Sequence, residues 1–261
     1  MKKYFSLIKY EMKSILKDPL NIFMLFYPFF ILFILGVIIP LSLEKIDSYS
    51  YIVILIILIM ALSLGAFLIG ALLGFSFIEN KDEKTILGIS VTPLKVEGYT
   101  IFKVVYATIF SFIGNIVIVG GLKIISNDIY VINEGSVNLL ENITWIHVIV
   151  FSAVSSLFSP VFALIIASIA KNKIEGFALM KSSSIILFFP LLILIPFFEN
   201  GNQFLLSLFP NFWTIKGILT VATNSLDNNL NFYLYMLIGA VYSFVIMLLS
   251  IKMFINKQNV N

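Results

Sequence analysis

The side chains in this sequence that could do chemistry are few, and they concentrate in one polar stretch, residues 79–98. Acids and lysines alternate there, and two acids follow Asn80 closely, so the pattern predicts a short helix over 80–89 with Asn80 as its N-cap. Ile86 and Ile89 would project together from that helix. A short helix with mixed charge and an exposed apolar edge is typical of a docking element for another protein. An ordinary solvated loop is the alternative.

Composition excludes several kinds of enzymatic site. The 261 residues include no cysteine and one histidine, which excludes thiol chemistry and multi-histidine metal sites. No glycine is followed by lysine, so the phosphate loop that binds ATP in many ATPases is missing. All 17 basic residues are lysine, whereas phosphate and nucleic-acid recognition favours arginine. We therefore predict no catalytic site, no metal, no cofactor and no nucleic-acid partner.

The polar side chains inside apolar runs are interpreted as structural. His147 lies at the start of one run with no partner nearby in sequence, and we interpret it as an interfacial histidine. The other polar groups of this kind are Ser111, Asn115, Ser152 and residues 182–184. We expect them to bond to helix backbone or to a neighbouring helix and not to a substrate.

Composition also places the chain in a membrane. Hydrophobic residues make up 60% of it and charged residues 12%, against roughly 25% charged residues in a soluble domain. A helix of about 20 apolar residues crosses the hydrocarbon core of a bilayer. Six runs reach that length, and they are 22–43, 51–78, 99–122, 146–170, 177–198 and 232–255. The predicted fold class is an all-α membrane protein with six transmembrane helices in a single domain, 1–261.

The distribution of lysine predicts the orientation of these helices. An even number of spans places both termini on one side, and 14 of the 17 lysines lie in or beside the segments on that side. The other side has only Lys45, Lys123 and Lys216. Because lysine-rich loops stay in the cytoplasm, we predict cytoplasmic termini. Lys103 and Lys181 lie inside runs near this side, and we expect their long stems to extend to the lipid headgroups.

Two segments outside the runs are predicted to contact the membrane. Residues 3–17 have apolar residues on one helical face and lysines on another, so 1–19 is predicted to be an amphipathic interfacial helix. A plain basic segment beside the membrane is the alternative. Residues 204–222 contain apolar pieces too short to span, which suit short helices dipping into the outer leaflet. A packed extracellular loop is the alternative there.

Small residues and prolines predict how the helices pack. Small residues at four-residue steps allow close helix approach, and they are Ala66, Gly70 and Gly74 in the second run and Ser155, Ser159, Ala163 and Ala167 in the fourth. Pro160, Pro190 and Pro196 are expected to kink or end helices.

These residues resemble the permease subunits of ABC-2 type ATP-binding-cassette exporters. The most specific stretch runs from Glu79 through Thr85 and Thr92-Pro93-Leu94 to Tyr99 and Lys103. The opening is also similar, with an amphipathic helix, Lys17-Asp18-Pro19 and then a first span that contains Pro28. The family often has arginine where Lys17 stands, and this chain contains no arginine. The resemblance covers the whole chain.

The resemblance implies a partner and a contact surface. Residues 79–93 would be a coupling helix that sits in a groove on a cytoplasmic ABC ATPase subunit, which binds the ATP. Its contact residues would be Lys81, Asp82, Glu83, Lys84, Thr85 and Leu87. The 1–19 helix would lie beside it, and 204–222 would be an outer re-entrant hairpin that closes the exit. Two such permeases, identical or sister, would pair with two ATPase subunits in a bacterial plasma membrane.

The function implied is therefore that of a non-enzymatic permease subunit in an ATP-driven exporter. The apolar, uncharged spans suit an amphipathic substrate, such as a drug, a peptide or a lipid-like molecule. A membrane protein that anchors or assembles others is the alternative. An ion-coupled carrier is disfavoured because no acidic residue lies in the middle of a span.

Overall fold

Long apolar helices build the fold in the computed structural model, which describes residues 13, 16–17, 19–43, 51–82, 96–125, 131–132, 137–198, 200–224 and 230–260. Six helical stretches of this part of the chain are long and apolar enough to cross a membrane. We number them spans 1 to 6, and they are Asn21–Ser42, Ile52–Lys81, Val96–Ile125, Trp145–Ile169, Lys173–Leu194 and Phe232–Lys257. The protein is thus an all-α, multi-pass membrane protein, and the predicted fold class is confirmed.

The helices within these spans differ in regularity. Span 2 belongs to one helix, Tyr51–Asp82, and span 6 to another, Phe232–Val260. Spans 1 and 3 each contain a π-helical segment between two α-helices. In span 1 the π-helical segment Ile34–Ile38 lies between the α-helices Pro19–Phe33 and Ile39–Leu43. In span 3 the π-helical segment Ile116–Gly120 lies between the α-helices Val96–Asn115 and Gly121–Ile125. Span 4 consists of Trp145–Ser155 and Phe158–Ile169, and span 5 of Lys173–Ser183 and the 3₁₀ helix Ser184–Leu194. Two strands of two residues, Val131–Ile132 and Val137–Asn138, pair antiparallel between spans 3 and 4.

Span 2 is the central helix of the bundle. It packs most extensively against span 4, and it also contacts spans 1, 3 and 5. The contact with span 4 follows the predicted small residues: a Cβ added at Gly70 would lie 2.6 Å from the Ser159 carbonyl oxygen, and one at Gly74 would lie 3.5 Å from the Cα of Ala163. The predicted close approach of helices at these small residues is confirmed.

Span 4 is interrupted near its middle. The helix stops after Ser155 and resumes at Phe158, and Pro160 lies in the first turn of the second half. Proline has no N–H to donate and its ring crowds the preceding turn, which accounts for the break. Pro190 lies within the 3₁₀ part of span 5, and Pro196 begins a separate 3₁₀ turn, Pro196–Phe198. The prediction that these prolines kink or end helices is confirmed for Pro160 and Pro196, whereas the helix continues past Pro190.

The segment before span 6 folds into two helical pieces that meet at Phe209. They are the 3₁₀ helix Asn200–Leu208 and the α-helix Pro210–Ala222. The second piece packs along span 6, and the Tyr242 hydroxyl of span 6 donates to the Leu208 carbonyl at 2.6 Å. Insertion of this hairpin into the outer leaflet stays a prediction.

Two predicted segments fall largely outside the described residues. Of the interfacial helix predicted over 1–19, only Lys13, Leu16, Lys17 and Pro19 are described. Of the coupling helix predicted over 79–93, residues 79–82 are described, and they continue the helix of span 2.

Candidate functional site

A set of polar and aromatic contacts joins the last turns of span 2 to spans 3, 4, 5 and 6. We call the end of the bundle where spans 2, 4 and 6 end and spans 3 and 5 begin the basal end. The basal cluster comprises the span 2 residues Ser76, Phe77, Glu79, Asn80 and Lys81 with their partners on the other spans. Residues 83–95, which hold most of the predicted ATPase contacts, connect spans 2 and 3 at this end.

Lys103 of span 3 is buried at the centre of the basal cluster. Its exposed fraction is 0%, and its Nζ donates to Ser76 Oγ at 2.6 Å. The ammonium lies 5.0 Å from the centroids of both the Phe77 and the Tyr99 rings, within the range of cation–π attraction. The prediction that Lys103 extends to the headgroups is wrong, because spans 2 and 3 offer a hydroxyl and two ring faces inside the bundle.

A second bond between spans 2 and 3 lies one turn further along. The Asn80 side-chain amide donates to the Tyr99 hydroxyl at 2.6 Å, and both side chains are buried. The prediction that Asn80 caps a new helix is wrong, since the helix of span 2 runs on to Asp82. Its contact with Tyr99 gives Asn80 a partner inside the bundle and stabilises the added turn.

An ion pair joins span 2 to the start of span 5. Glu79 Oε1 and Lys173 Nζ are 3.0 Å apart, and both side chains are partly exposed, so the pair contributes at most about 1 kcal/mol. The first turn of span 5 is capped, because the Glu175 N–H donates to Asn172 Oδ1 at 2.9 Å and the Lys171 N–H donates to Glu175 Oε2 at 2.8 Å. The loop between spans 4 and 5 is therefore held in place beside span 2.

Two lysines from other spans donate to the last carbonyls of span 4. Lys81 Nζ lies 3.1 Å from the Ala170 oxygen, and Lys257 Nζ lies 2.9 Å from the Ser168 oxygen. The final carbonyls of a helix lack intrahelical donors and carry partial negative charge, which favours cations there. Span 6 also packs on span 2 directly, with the Phe254 and Phe77 ring centroids 4.8 Å apart.

The role that this cluster can play is mechanical. Span 2 is bonded to spans 3, 4 and 5 and packed against span 6, so a displacement of residues 83–95 would move these helix ends together. In the part of the chain that the structure describes, no group of three or more His, Asp or Glu residues could hold a metal ion.

The structure describes two of the six predicted ATPase contacts. Lys81 points across the basal end toward span 4, and Asp82 is the last residue of the span 2 helix. The remaining four lie outside the described residues, and they are Glu83, Lys84, Thr85 and Leu87. Their contact with an ATPase stays a prediction.

His147 has a partner at the opposite end of the bundle. Its backbone N–H donates to Thr144 Oγ1 at 3.4 Å, and the Thr144 N–H donates to His147 Nδ1 at 3.1 Å, a reciprocal capping box at the start of span 4. The ring also packs edge-on against Phe232 at 4.6 Å between centroids. The prediction of no partner nearby in sequence is wrong, because Thr144 lies three residues upstream.

The predicted bonding of polar groups within the spans holds only in part. Ser182 Oγ donates to the Leu179 carbonyl at 3.0 Å, as expected. Ser111 Oγ, Asn115 Nδ2 and Ser152 Oγ are buried, yet none has a hydrogen-bond partner among the described residues. For these three the prediction is wrong.

The contacts of the basal cluster were missed by sequence reasoning, although they left one usable signal. Ser76 and Asn80 are four residues apart at the end of one run, and Tyr99 and Lys103 are four apart at the start of the next. Polar residues at that spacing share a helical face, and adjacent antiparallel helices bring two such faces together. Lys257 gave no comparable signal, since its partner is a backbone carbonyl far away in sequence.

Comparison with known proteins gives one family match. The model of the family described as "Fluoroquinolones export permease protein Rv2686c-like" matches residues 11–251 of this chain. No curated protein matches the chain.

Proposed function

We propose that this chain is the membrane subunit of an ATP-driven drug exporter, because it belongs to the Rv2686c-like family of fluoroquinolone export permeases. This family is of the ABC-2 type. The observation that carries the proposal is the basal cluster. It joins the two helices that flank residues 83–95 to each other and to spans 4, 5 and 6. A soluble motor that moves this segment would therefore move most of the bundle.

The partner that this arrangement suits is a cytoplasmic ABC ATPase. The chain lacks a phosphate loop, so ATP would be bound and hydrolysed by the other subunit. The excess of lysine on the basal side supports a cytoplasmic location for both termini and for residues 83–95 in a bacterial plasma membrane. Asp82 and the acidic and basic residues after it would contact the ATPase, and ATP-driven closure of the ATPase dimer would displace them.

A second permease, identical or sister, would complete the transport unit. Span 5 is the least buried of the six: 6% of its most apolar window is buried within the chain, against 72% for span 4. Spans 1 and 5 thus leave long apolar faces outside the bundle. A partner permease would cover part of this surface, and lipid would cover the rest.

We propose a planar amphipathic drug as the substrate, in keeping with the fluoroquinolones of the family description. An apolar cavity of about 200 Å³ lies between spans 1, 2 and 3. Its lining includes Phe26, Phe29 and Phe110. Aromatic side chains suit flat ring systems, so the cavity offers a place for a drug that enters from the bilayer.

The coupling step is tested by charge reversal on the permease. The doubly substituted chain Asp82→Lys/Glu83→Lys is expressed with its partner ABC ATPase, and co-purification of the ATPase is measured. We expect the ATPase to be lost, because like charges replace the acidic part of the contact surface. Glu141→Lys, an exposed acid on the other side of the bundle, is the matched control and should retain the ATPase. Full retention of the ATPase by the double variant would contradict the proposed docking of the ATPase on this segment.

The export step is tested separately with a fluoroquinolone in inside-out vesicles that contain the permease and the ATPase. ATP-dependent uptake of the drug is expected, and it should be lost when the ATPase is inactivated. Uptake without the ATPase would instead favour a carrier. A stable complex that moves no drug would favour the anchoring role.

A further inference from the structure

Four buried polar side chains of spans 3 and 4 have no hydrogen-bond partner within the described chain. The atoms are Ser111 Oγ, Asn115 Nδ2, Ser152 Oγ and Ser159 Oγ. Each of these residues is at most 1% exposed, and an unsatisfied buried group costs about 1–3 kcal/mol. Other buried serines bond to their own helix, as Ser63 does to the Ile59 carbonyl at 2.8 Å. These four groups do not use that option.

Two of the four residues, Asn115 and Ser159, lie against span 2, and all four lie in the middle part of their own spans. Ser111 and Asn115 are one turn apart on span 3, and a Cβ added at Gly65 of span 2 would overlap Asn115 Oδ1. Ser152 and Ser159 are two turns apart on span 4, and the Ser159 carbonyl faces Gly70 of span 2 at 2.6 Å from a Cβ added there. We call these four residues, with Gly65 and Gly70, the polar seam.

Both helices that supply the seam are irregular beside it. The π-helical segment of span 3 starts directly after Asn115, and span 4 breaks at Ser156 and Leu157, between Ser152 and Ser159. π-Helical turns are frequent at functional sites. Interrupted backbone at membrane depth occurs where it is buried in protein or lines a water-filled path, and transporters bind substrates at such helices.

We propose that the polar seam is a binding site for hydrogen-bonding groups of the transported molecule. It rests on the proposed export function. In this structure span 2 lies against the seam at Asn115 and Ser159, where Gly65 and Gly70 permit the close contact. The helix ends stay joined at the basal cluster during transport, while the middle of span 2 separates from spans 3 and 4 and exposes the four unbonded groups. The substrate then supplies their partners.

The chemical class of the bound group follows from the charges nearby. Residues 52–78, 104–122 and 146–170 contain no Asp, Glu or Lys, so ionised substrate groups find no counter-charge from these segments. Hydroxyls and a carboxamide bind uncharged carbonyl, hydroxyl and amide groups. The seam thus binds the neutral polar groups of an amphipathic drug, while aromatic side chains contact its rings.

The absence of cysteine from the chain makes a direct accessibility test possible. Single variants Ser111→Cys, Asn115→Cys, Ser152→Cys and Ser159→Cys are reconstituted with the ATPase in proteoliposomes, and Ser63→Cys is the matched buried control. Each is reacted with a small cationic methanethiosulfonate reagent, with and without ATP. If the open state is at most about 10% populated at rest, ATP turnover should raise the labelling rate of seam variants about tenfold. The control should not change.

A protection experiment distinguishes substrate from water as the occupant of the opened seam. The fluoroquinolone of the export assay, added in excess, should slow labelling of the seam variants and leave a surface cysteine, Lys252→Cys, unaffected. Seam variants labelled no faster than Ser63→Cys under any condition would overturn the proposal. Labelling without protection would overturn it too, because water alone would then occupy the seam.

Parallel measurements keep the two hypotheses distinguishable. Gel filtration checks that each variant is folded, and the three serine variants suffice if Asn115→Cys is not. ATP-driven drug uptake by the wild-type complex reports on the export function independently of any labelling. Failure of that uptake overturns the proposed function, whereas unlabelled seam cysteines with normal uptake overturn the seam alone.

Discussion

The Nζ of Lys103 and the Oγ of Ser76 lie 2.6 Å apart across the contact between spans 2 and 3. Ser76 precedes residues 83–95 and Lys103 follows them. The bond therefore joins the helix before this segment, which we propose to contact the ATPase, to the helix after it. The Phe77 and Tyr99 rings lie on the same ammonium. The two helices that flank the segment are therefore fixed to each other where a force on it would enter the bundle.

Lys103→Met is expected to destabilise the protein and to weaken coupling. Methionine fills similar volume but removes the hydrogen bond to Ser76 and the attraction to both rings, at a cost of about 1–3 kcal/mol. Thermal unfolding in detergent and drug transported per ATP hydrolysed would measure the two effects. Lys123→Met is the control, because Lys123 lies on the same span at the other end and donates to the Leu140 carbonyl. Equal coupling in both variants would contradict the role given to Lys103.

Gly70→Ala is expected to disrupt the contact between spans 2 and 4. The new methyl group would lie 2.6 Å from the Ser159 carbonyl oxygen, a backbone atom that cannot turn aside, and such overpacking costs about 1–3 kcal/mol. Gly74→Ala, one turn away, places its methyl group at 3.5 Å from the backbone of Ala163. That variant should be tolerated, since alanine also gains about 1 kcal/mol of helix propensity over glycine. Melting temperatures of the two variants check the difference, and equal values would mean that the helices adjust freely.

The ion pair between Glu79 and Lys173 should behave as a modest, salt-sensitive contact. Glu79→Lys alone leaves two lysines facing each other and is expected to lower stability by about 1 kcal/mol or less. The exchanged pair, Glu79→Lys with Lys173→Glu, should recover part of that loss. Unfolding measured at low and high salt checks this, because screening should reduce the difference. No recovery in the exchanged pair would mean that Glu79 acts through another contact.

Lys257→Ala is expected to loosen the end of span 4. The Lys257 ammonium donates to the Ser168 carbonyl at 2.9 Å, and a cation at a helix C-terminus contributes about 0.3–1 kcal/mol. Lys252→Ala on the same helix is the control, as Lys252 is exposed. Hydrogen exchange of the amides over the last turn of span 4 should increase in the first variant and not in the second. Equal exchange in both would mean that Lys257 does not stabilise the end of span 4.

The fold class followed from composition and run length, because a bilayer accepts only segments that are apolar over a fixed length. The helix break beside Pro160 followed in the same way, since the effect of a proline is local to the backbone. The small residues Gly70 and Gly74 indicated that a helix could approach closely, and the side-chain size at each position is local information. The exclusion of a phosphate loop needed no more than the order of residues. Each of these conclusions depends on neighbours in sequence or on the solvent.

The partners of the polar side chains were decided only by the tertiary structure. Lys103 has a side chain long enough to reach the headgroups, and the sequence alone predicted that its ammonium would lie there. In the folded chain Ser76, Phe77 and Tyr99 surround its ammonium at shorter range. The side-chain nitrogen of Asn115 has no hydrogen-bond partner among the described residues, although span 2 lies against this side chain at Gly65. Whether a buried polar group is satisfied depends on atoms that come from other helices, and their positions are fixed by the packing of the whole bundle.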